Sequence, residues 1–359
     1  SEQYKDSEKF KIRAQEINKL LNDNDSELLE IWGAIKNISI KSLEENFSLL
    51  NHSFDFWLGE SDVNELIPEM LDALYKNKKI IDDSGALISA EDTDPKILIT
   101  KSDGSYLYLT TDLATILYRQ NNIGYDKTLY IVDNRQSLHF QQLFHSIKFF
   151  EFNNLHHEHI SYGTINDSDG NPFKTRDGGT KPLSELFEET QNYIKNINSD
   201  LEESTIKQLT NSVLTFSDLI TNRKTDYKFD LEKFTNVNGK TGIYVQYAQV
   251  RAKKLQQSIL NQKNEIELLV LSDIDKQLLS QLFMFGYFLE QSFLLNEPHH
   301  LANYLYDISN SFNQFYEHEK LSEIENSNHL SSKLYLVNLF LTTSQNVMFC
   351  LGIKPVEKM

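Results

Sequence analysis

A change of texture about halfway along the chain constrains the fold most. Between residues 79 and 165, short apolar runs at 80–81, 86–88, 97–100 and 106–109 are separated by DDSG, EDTDP and SDG. Runs this short, bounded by turn formers, predict strands joined by tight turns. A helix over 112–120 follows, and the continuous apolar run TLYIV at 128–132 predicts a buried strand of the parallel type. A helix over 136–151, with Leu138, Leu143, Ile147 and Phe150 inward, leads to a strand over 159–165. Strand, helix and strand at this spacing make an α/β texture. From about Ser184 onward almost every segment carries helical periodicity. Residues 1–50 are also predicted helical, with Phe10, Ala14, Ile17 and Leu21 on one face, and residues 51–61 read as a strand and a turn. Residues 61–76 are predicted helical, with Ser61 or Asp62 as N-cap. The expected domains are a helical lead-in over 1–78, an α/β part over 79–200 and an all-α part over 201–359.

Composition narrows the function classes. At 40% hydrophobic and 24% charged residues the chain is globular in composition. The most apolar helical stretch, 282–295, is broken by Glu290 and Gln291, so no membrane span is expected. Cys350 is the only cysteine, which excludes an internal disulfide and fits a reducing, cytoplasmic setting. The net charge of −17 argues at first sight against a nucleic-acid partner. Its distribution weakens that argument. Residues 205–359 hold 15 basic and 16 acidic side chains, whereas the other 204 residues hold 20 and 36. A near-neutral second half can present a local basic face.

Four segments carry candidate chemistry. In YLYLTTDLATILYR a strand is expected to run into a helix, with Thr110 or Thr111 as cap and Tyr108 near Asp112. A carboxylate beside a phenol at a strand end suits a guanidinium, which grips a carboxylate at two points. Spacing leaves a second reading open, in which Asp112 favours the first turn of its own helix and Tyr108 packs. In LYIVDNRQSLHFQQLF a strand ends in a polar turn, which places Gln136 where ligands of open α/β sheets sit, or makes it an ordinary surface residue. In DGNPFKTRDGGT, Lys174 and Arg176 on a glycine-bearing loop suit a polyphosphate, although basic surface loops are common. In TGIYVQYAQVRAKK, Tyr244, Tyr247, Ala248 and Arg251 share one helical face, followed by Lys253 and Lys254. Aromatics interleaved with cations suit unstacked RNA bases; a half-buried aromatic stripe is the other reading. His156, His157 and His159 cluster without the pattern of a metal site, and His299-His300 marks a helix start.

Taken in order, these segments resemble the arginyl-tRNA synthetase family. The FDFWLGES stretch, YLYLTTD, YIVDNRQSLHFQQLF, DGNPFKTRDGGT, VLTFSDLITNRKTDYKFD, TGIYVQYAQVRAKK and the ending SFNQFYEHEKL…CLGIKPVEKM all resemble the family's successive motifs. The resemblance implies a partial Rossmann-type nucleotide-binding fold followed by an all-α helical-bundle anticodon-binding domain. It implies that Tyr108, Asp112 and Gln136 hold arginine, and that Lys174, Thr175 and Arg176 lie over the phosphates of ATP, with Mg2+ as counter-ion and no tightly bound metal. It places Tyr244, Tyr247, Arg251, Asn313, Tyr316 and Met359 by the anticodon loop of tRNA(Arg). The implied reaction has two steps: the arginine carboxylate attacks the α-phosphate of ATP, and the arginyl group then moves to the terminal ribose of the tRNA. The complete enzyme is expected to be a monomer.

Three departures bear on this resemblance. Many members carry Arg at the position of Thr111, and the turn DNR is not the commonest form. No H-x-G-H tetrapeptide occurs in the chain, although in the family that motif precedes every segment found here. The chain opens on Ser1, and the expectation is a piece of a longer synthetase. A non-catalytic paralogue that binds tRNA or arginine is the alternative. A cysteinyl-type enzyme is disfavoured, because its zinc site needs cysteines. Without the H-x-G-H segment, the purified chain is expected to show negligible arginine-dependent ATP–pyrophosphate exchange. Robust turnover in that assay would overturn the expectation.

Overall fold

The computed structural model describes residues 7–22, 25–91, 93, 96–152, 155–166, 182–259, 271–318 and 327–359. The chain divides into two compact units, Ser1–Trp57 and Leu58–Met359.

The first unit is built from helices α1 (Glu8–Asn22) and α2 (Ser26–Leu49). Asp25 caps α2 by accepting the Leu28 N–H at 3.0 Å. No residue of α2 is buried, and Ile38 is 70% exposed. The expected strand at 51–61 does not form. Phe47, Phe54 and Trp57 instead cluster edge to face, with centroids 4.7 Å apart for the first pair and 5.3 Å for Phe54 and Trp57.

The second unit opens on a 3-10 turn, Glu60–Leu66, and helix α3 (Ile67–Lys76). Neither Ser61 nor Asp62 is the N-cap. Gly59 holds that place, and the Asp62 carboxylate accepts its N–H at 2.7 Å. Strands β1 (Ile80–Asp83) and β2 (Ala86–Ser89) form a hairpin in the register Ile80↔Ser89 to Asp83↔Ala86. Its two turn residues, Ser84 and Gly85, both have positive φ, 59° and 89°, the turn whose twist matches the strands it joins. Strand β3 (Leu98–Thr100) pairs with β2. The strand expected at 106–109 reduces to one bridge, Thr100↔Tyr106, because helix α4 (Tyr108–Asn122) already begins two residues later.

Strands β4 (Lys127–Asp133) and β5 (His156–Tyr162) run parallel across α5 (Ser137–Phe149), in register from Lys127↔His156 to Asp133↔Tyr162. Strand β4 is not buried on both faces. Tyr130 and Val132 pack on the α/β core, whereas Leu129 and Ile131 are 41% and 69% exposed. Leu138 also faces solvent. A 3-10 turn over Asn134–Gln136 precedes α5, and the helical phase that buries Leu143 and Ile147 runs back to Phe140.

Strand β6 (Ile165–Asn166) precedes helices α6 (Leu183–Ile197) and α7 (Glu203–Leu219), then strand β7 (Tyr227–Lys228) and the short helix α8 (Leu231–Phe234). Helices α9 (Gly242–Ile259), α10 (Asp273–Leu282), α11 (Phe285–Leu295), α12 (His299–His318) and α13 (Ser327–Cys350) complete the unit. Among its described residues, β7 is the one strand of the second part, and it pairs with β6. Gly242 lets α9 meet α7: a Cβ there would lie 2.1 Å from the Ser212 carbonyl oxygen. Buried Gln246 donates to Ser212 Oγ and to the Lys354 carbonyl, both at 2.7 Å, and accepts the Val356 N–H at 2.9 Å. This ties the C-terminal tail to the α7–α9 pair.

The α/β part and the helices have separate cores, the first around Ile67, Ile99, Leu113 and Leu143 and the second around Phe216, Val245, Leu305 and Phe340. Arg223 joins the two parts. Its guanidinium donates to the Ser161 carbonyl at the end of β5 and, at 2.9 Å, to the Asn296 carbonyl between α11 and α12. Its own carbonyl accepts the Gly163 N–H at 2.7 Å. The α10–α11 stretch, Asp273–Leu295, is long and apolar enough to cross a membrane by length and composition alone, and most of its apolar part lies on the surface. It is two helices rather than one.

One ion pair lies wholly inside the helical core. Lys333 Nζ reaches both oxygens of Asp275 at 2.7 and 2.6 Å, and both side chains are fully buried. Removing one partner strands a charge, at a cost of about 3–5 kcal/mol. Lys333→Met should therefore lower stability to urea by about that amount, and Lys333→Met with Asp275→Asn by clearly less. Equal losses in the single and double variants would show that the pair is not the origin of the effect.

Candidate functional site

Helix α4 starts without a side-chain cap, with Leu107 at the N-cap position. Thr110 and Thr111, the expected caps, do other things. Thr110 Oγ1 donates to the Ile99 carbonyl and so fixes the helix start to β3, while Thr111 Oγ1 donates to the Tyr108 carbonyl at 2.9 Å. Asp112 lies beyond the cap positions, so it does not cap its own helix. It meets His139 of α5, with His139 Nε2 2.6 Å from Asp112 Oδ2. The two side chains are 33% and 26% exposed, a polar contact at the edge of the core. Asp112 Oδ1 makes no hydrogen bond to another described residue.

Tyr108 is 73% exposed, one helical turn before Asp112. Side chains at i and i+4 share a helix face, so the two look the same way. Gln136, also exposed, closes the 3-10 turn after β4 and stands at the N-cap of α5, three residues before His139. The bond from Asp112 to His139 thus brings together the two helix starts that carry Tyr108 and Gln136. Among the described residues the three expected side chains make no hydrogen bond to one another. His139, which sequence reading did not select, makes the connection. Its only signal in the sequence was its place one turn after Gln136.

The strand-end turn is closed by its own charges. Asp133 accepts from the Arg135 backbone N–H at 2.7 Å and from its guanidinium Nε and Nη2 at 2.9 and 2.8 Å. These bonds hold the Asp133 carboxyl below the usual carboxylate range. Behind the turn, burial raises the Tyr130 hydroxyl to about 12, and its ring lies 5.7 Å from the Arg119 guanidinium. The clustered histidines of β5 have separate partners: His159 Nε2 donates to the Val132 carbonyl at 3.0 Å, and His156 lies 3.5 Å from Glu158. Lys174, Thr175 and Arg176 lie outside the described residues.

A second constellation lies on the helical part. The Arg251 guanidinium is 4.3 Å from the Tyr247 ring centre and 4.8 Å from that of Tyr316. It donates to Asn313 Oδ1 at 3.0 Å and to the Tyr247 hydroxyl at 3.3 Å, with Glu317 at 3.6 Å. Asn313 is buried, while Tyr247 and Tyr316 are 39% and 36% exposed. A buried amide therefore fixes a cation against two rings that keep open surface. Tyr244 belongs to the interior edge: its hydroxyl donates to Asn310 at 3.1 Å and its ring packs on Tyr306. Ala248 is fully buried. Met359 packs instead with Ile206, Val213 and Val250. Lys253 pairs with Glu357, whereas Lys254 is exposed. Sequence reading missed Glu317, whose carboxylate offsets part of the charge of Arg251.

Residues 1–231 match the profile of tRNA synthetases class I (R), catalytic domain, and residues 245–359 match the DALR anticodon binding domain. An arginine–tRNA ligase of Francisella tularensis subsp. novicida is 34% identical over 342 residues, covering 92% of this chain and 59% of the relative. That of Alkaliphilus oremlandii is 34% identical over 349 residues, covering 92% and 60%. The chain thus spans about three-fifths of the length of these relatives. The Plasmodium falciparum arginyl-tRNA synthetase structure superposes with TM-score 0.80 at 24% identity, covering 97% of this chain and 62% of that one. The Thermus thermophilus arginyl-tRNA synthetase gives 0.78 at 19%, covering 96% and 68%. At those identities the two structures speak for the fold: a class I catalytic part with small sheets, followed by a helical DALR domain. With both profiles matched in succession over nearly the whole length, the chain belongs to the arginyl-tRNA synthetase family.

Proposed function

We propose that this chain carries the arginine grip and the anticodon reader of an arginine–tRNA ligase, which activates arginine with ATP and transfers it to tRNA(Arg). The Asp112–His139 bond carries the reading, because it joins the starts of the two helices that bear Tyr108 and Gln136. Asp112 Oδ1 is left to take one N–H of the arginine guanidinium, and exchange of His139 frees Oδ2 for a second, giving the two-point geometry that a planar guanidinium favours. Tyr108 supplies a phenol one turn away, and Gln136 an amide at the opposite helix start. Selectivity follows from charge: a neutral analogue leaves Asp112 without its cationic partner.

In this reading Lys174, Thr175 and Arg176 would hold the phosphates of ATP, with Mg2+ as their counter-ion. ATP supplies the leaving pyrophosphate, while the chain's own contribution is to position arginine and to place cations beside developing negative charge. The Arg251 stack would receive unstacked anticodon bases, its two rings already held by the cation. Tyr244 and Met359 would support that region from the side. The reading keeps the expected domains, 1–78, 79–200 and 201–359, and takes the complete protein to be a cytoplasmic monomer with no membrane partner.

Two measurements test it. In calorimetric titrations, Asp112→Asn should weaken arginine binding by roughly 10- to 100-fold, the value of a hydrogen bond to a charged group, and citrulline should bind the unaltered chain poorly. Unchanged arginine affinity in the variant would remove arginine from this site. In filter binding with tRNA(Arg), Arg251→Ala should cost about tenfold, in line with loss of a base-stacking platform. A change below about twofold would place the RNA elsewhere.

A further inference from the structure

The turn between α11 and α12 carries a cluster that neither the arginine site nor the Arg251 stack uses. Asn296 adopts the left-handed conformation, with φ 52°, and turns the chain so that Glu297 faces the start of α12. His300 Nε2 lies 3.5 Å and His299 Nδ1 3.9 Å from the same oxygen, Glu297 Oε2. The two imidazole centres are 4.1 Å apart. One ligand atom from each of the three side chains falls within 4.8 Å of the others. Both imidazole nitrogens are shielded from solvent, and neither has a hydrogen-bond partner in the protein.

Two buried nitrogens without partners are costly unless something accepts their lone pairs or their protons. Two imidazoles with a carboxylate form the nitrogen–oxygen set that zinc accepts, with a fourth position for water. Atoms about 2.1 Å from a tetrahedral zinc lie about 3.4 Å from one another, so the observed spacings need only small side-chain movements. Lys224 Nζ sits 3.6 Å from the other oxygen, Glu297 Oε1, which directs Oε2 toward the cluster.

We propose that Glu297, His299 and His300 form a binding site for a divalent transition metal, with zinc the best match. The site lies beside the Arg223 junction. Arg223 Nε donates to the Asn296 carbonyl, and Asn296 Nδ2 donates to Glu158 of β5 at 3.1 Å. Metal at this turn would stiffen the contact between the helical part and the β4–β5 sheet.

The test uses the chelator-stripped chain, loaded with Co2+ as a spectroscopic probe and with Zn2+ by calorimetry. One equivalent of Co2+ should give the visible absorption of a four- or five-coordinate nitrogen–oxygen site, and one equivalent of Zn2+ should displace it. His300→Gln and Glu297→Gln, each checked for native circular dichroism, should weaken Zn2+ binding at least tenfold. Absence of the cobalt bands in the unaltered chain would overturn the proposal whatever the variants do. Zinc affinity unchanged in both variants would overturn it equally, by placing the metal on other histidines.

Discussion

Arg223 is the constraint on which the arrangement of the second unit depends. The α/β part and the helices bury separate cores, so apolar packing alone does not set one against the other. The guanidinium of Arg223 spends its donors on two carbonyls from different parts, Ser161 at the end of β5 and Asn296 at the α11–α12 turn. Arginine suits this because its planar fork can serve two acceptors while staying charged. The neighbouring backbone adds to it: Gly163 donates to the Arg223 carbonyl, and β6 pairs with β7 just beyond. A side chain at Gly163 would run into Asp226, with a Cβ 2.6 Å from its carboxylate, so the close approach demands glycine here.

That junction has a consequence for the candidate site. Strand β5 is held at its end by Arg223 and along its length by β4, and β4 leads directly into the turn that presents Gln136 and then His139. The position of His139 against Asp112 is therefore linked through one sheet to the helical part. Coupling through a rigid sheet requires no moving element; it requires only that the sheet not slip. Seven residue pairs in parallel register resist a slip, because a shift by one residue would exchange the core-packed, half-buried Tyr130 and Val132 with the exposed Leu129 and Ile131.

How much was legible in the sequence follows from the range of each interaction. Local signals did well. The Ser84-Gly85 turn, the helical run after Ser184 and the helix start at His299 all depend on residues a few positions apart. Errors arose where a local rule met a competing one. Leu138 looked inward because it was the first apolar residue after the turn, but the 3-10 turn sets a phase that buries Phe140. The run at 106–109 looked like a strand because it is a short apolar run after a turn signal, yet Thr110 fastens to Ile99 and starts the helix early. What stayed hidden was long in sequence. His139 meets Asp112 across 27 residues and Lys333 meets Asp275 across 58, and no periodicity reports such partners. Local pattern singled out Asp112 and Arg251 but not His139 or Glu317, since those two meet them only across the fold.

The acidity of the chain also reads differently with the structure in view. A net charge of −17 would repel RNA if spread evenly, but screening confines exposed charges to about 8–10 Å at physiological salt. In the proposed reading, an RNA base at Arg251 would meet the local set: one guanidinium, two ring faces, a buried amide and one mostly exposed carboxylate. That set is close to neutral, so attraction there would come mainly from stacking rather than from charge. A stacking site tolerates any base face, and discrimination has to come from groups with directional hydrogen bonds. Asn313 Oδ1 and the Tyr247 hydroxyl oxygen both accept from Arg251, which leaves the Tyr247 hydroxyl its own proton to donate. In the proposed reading, a base stacked here would be discriminated only through a donor of that kind, and further selectivity would come from residues around the stack.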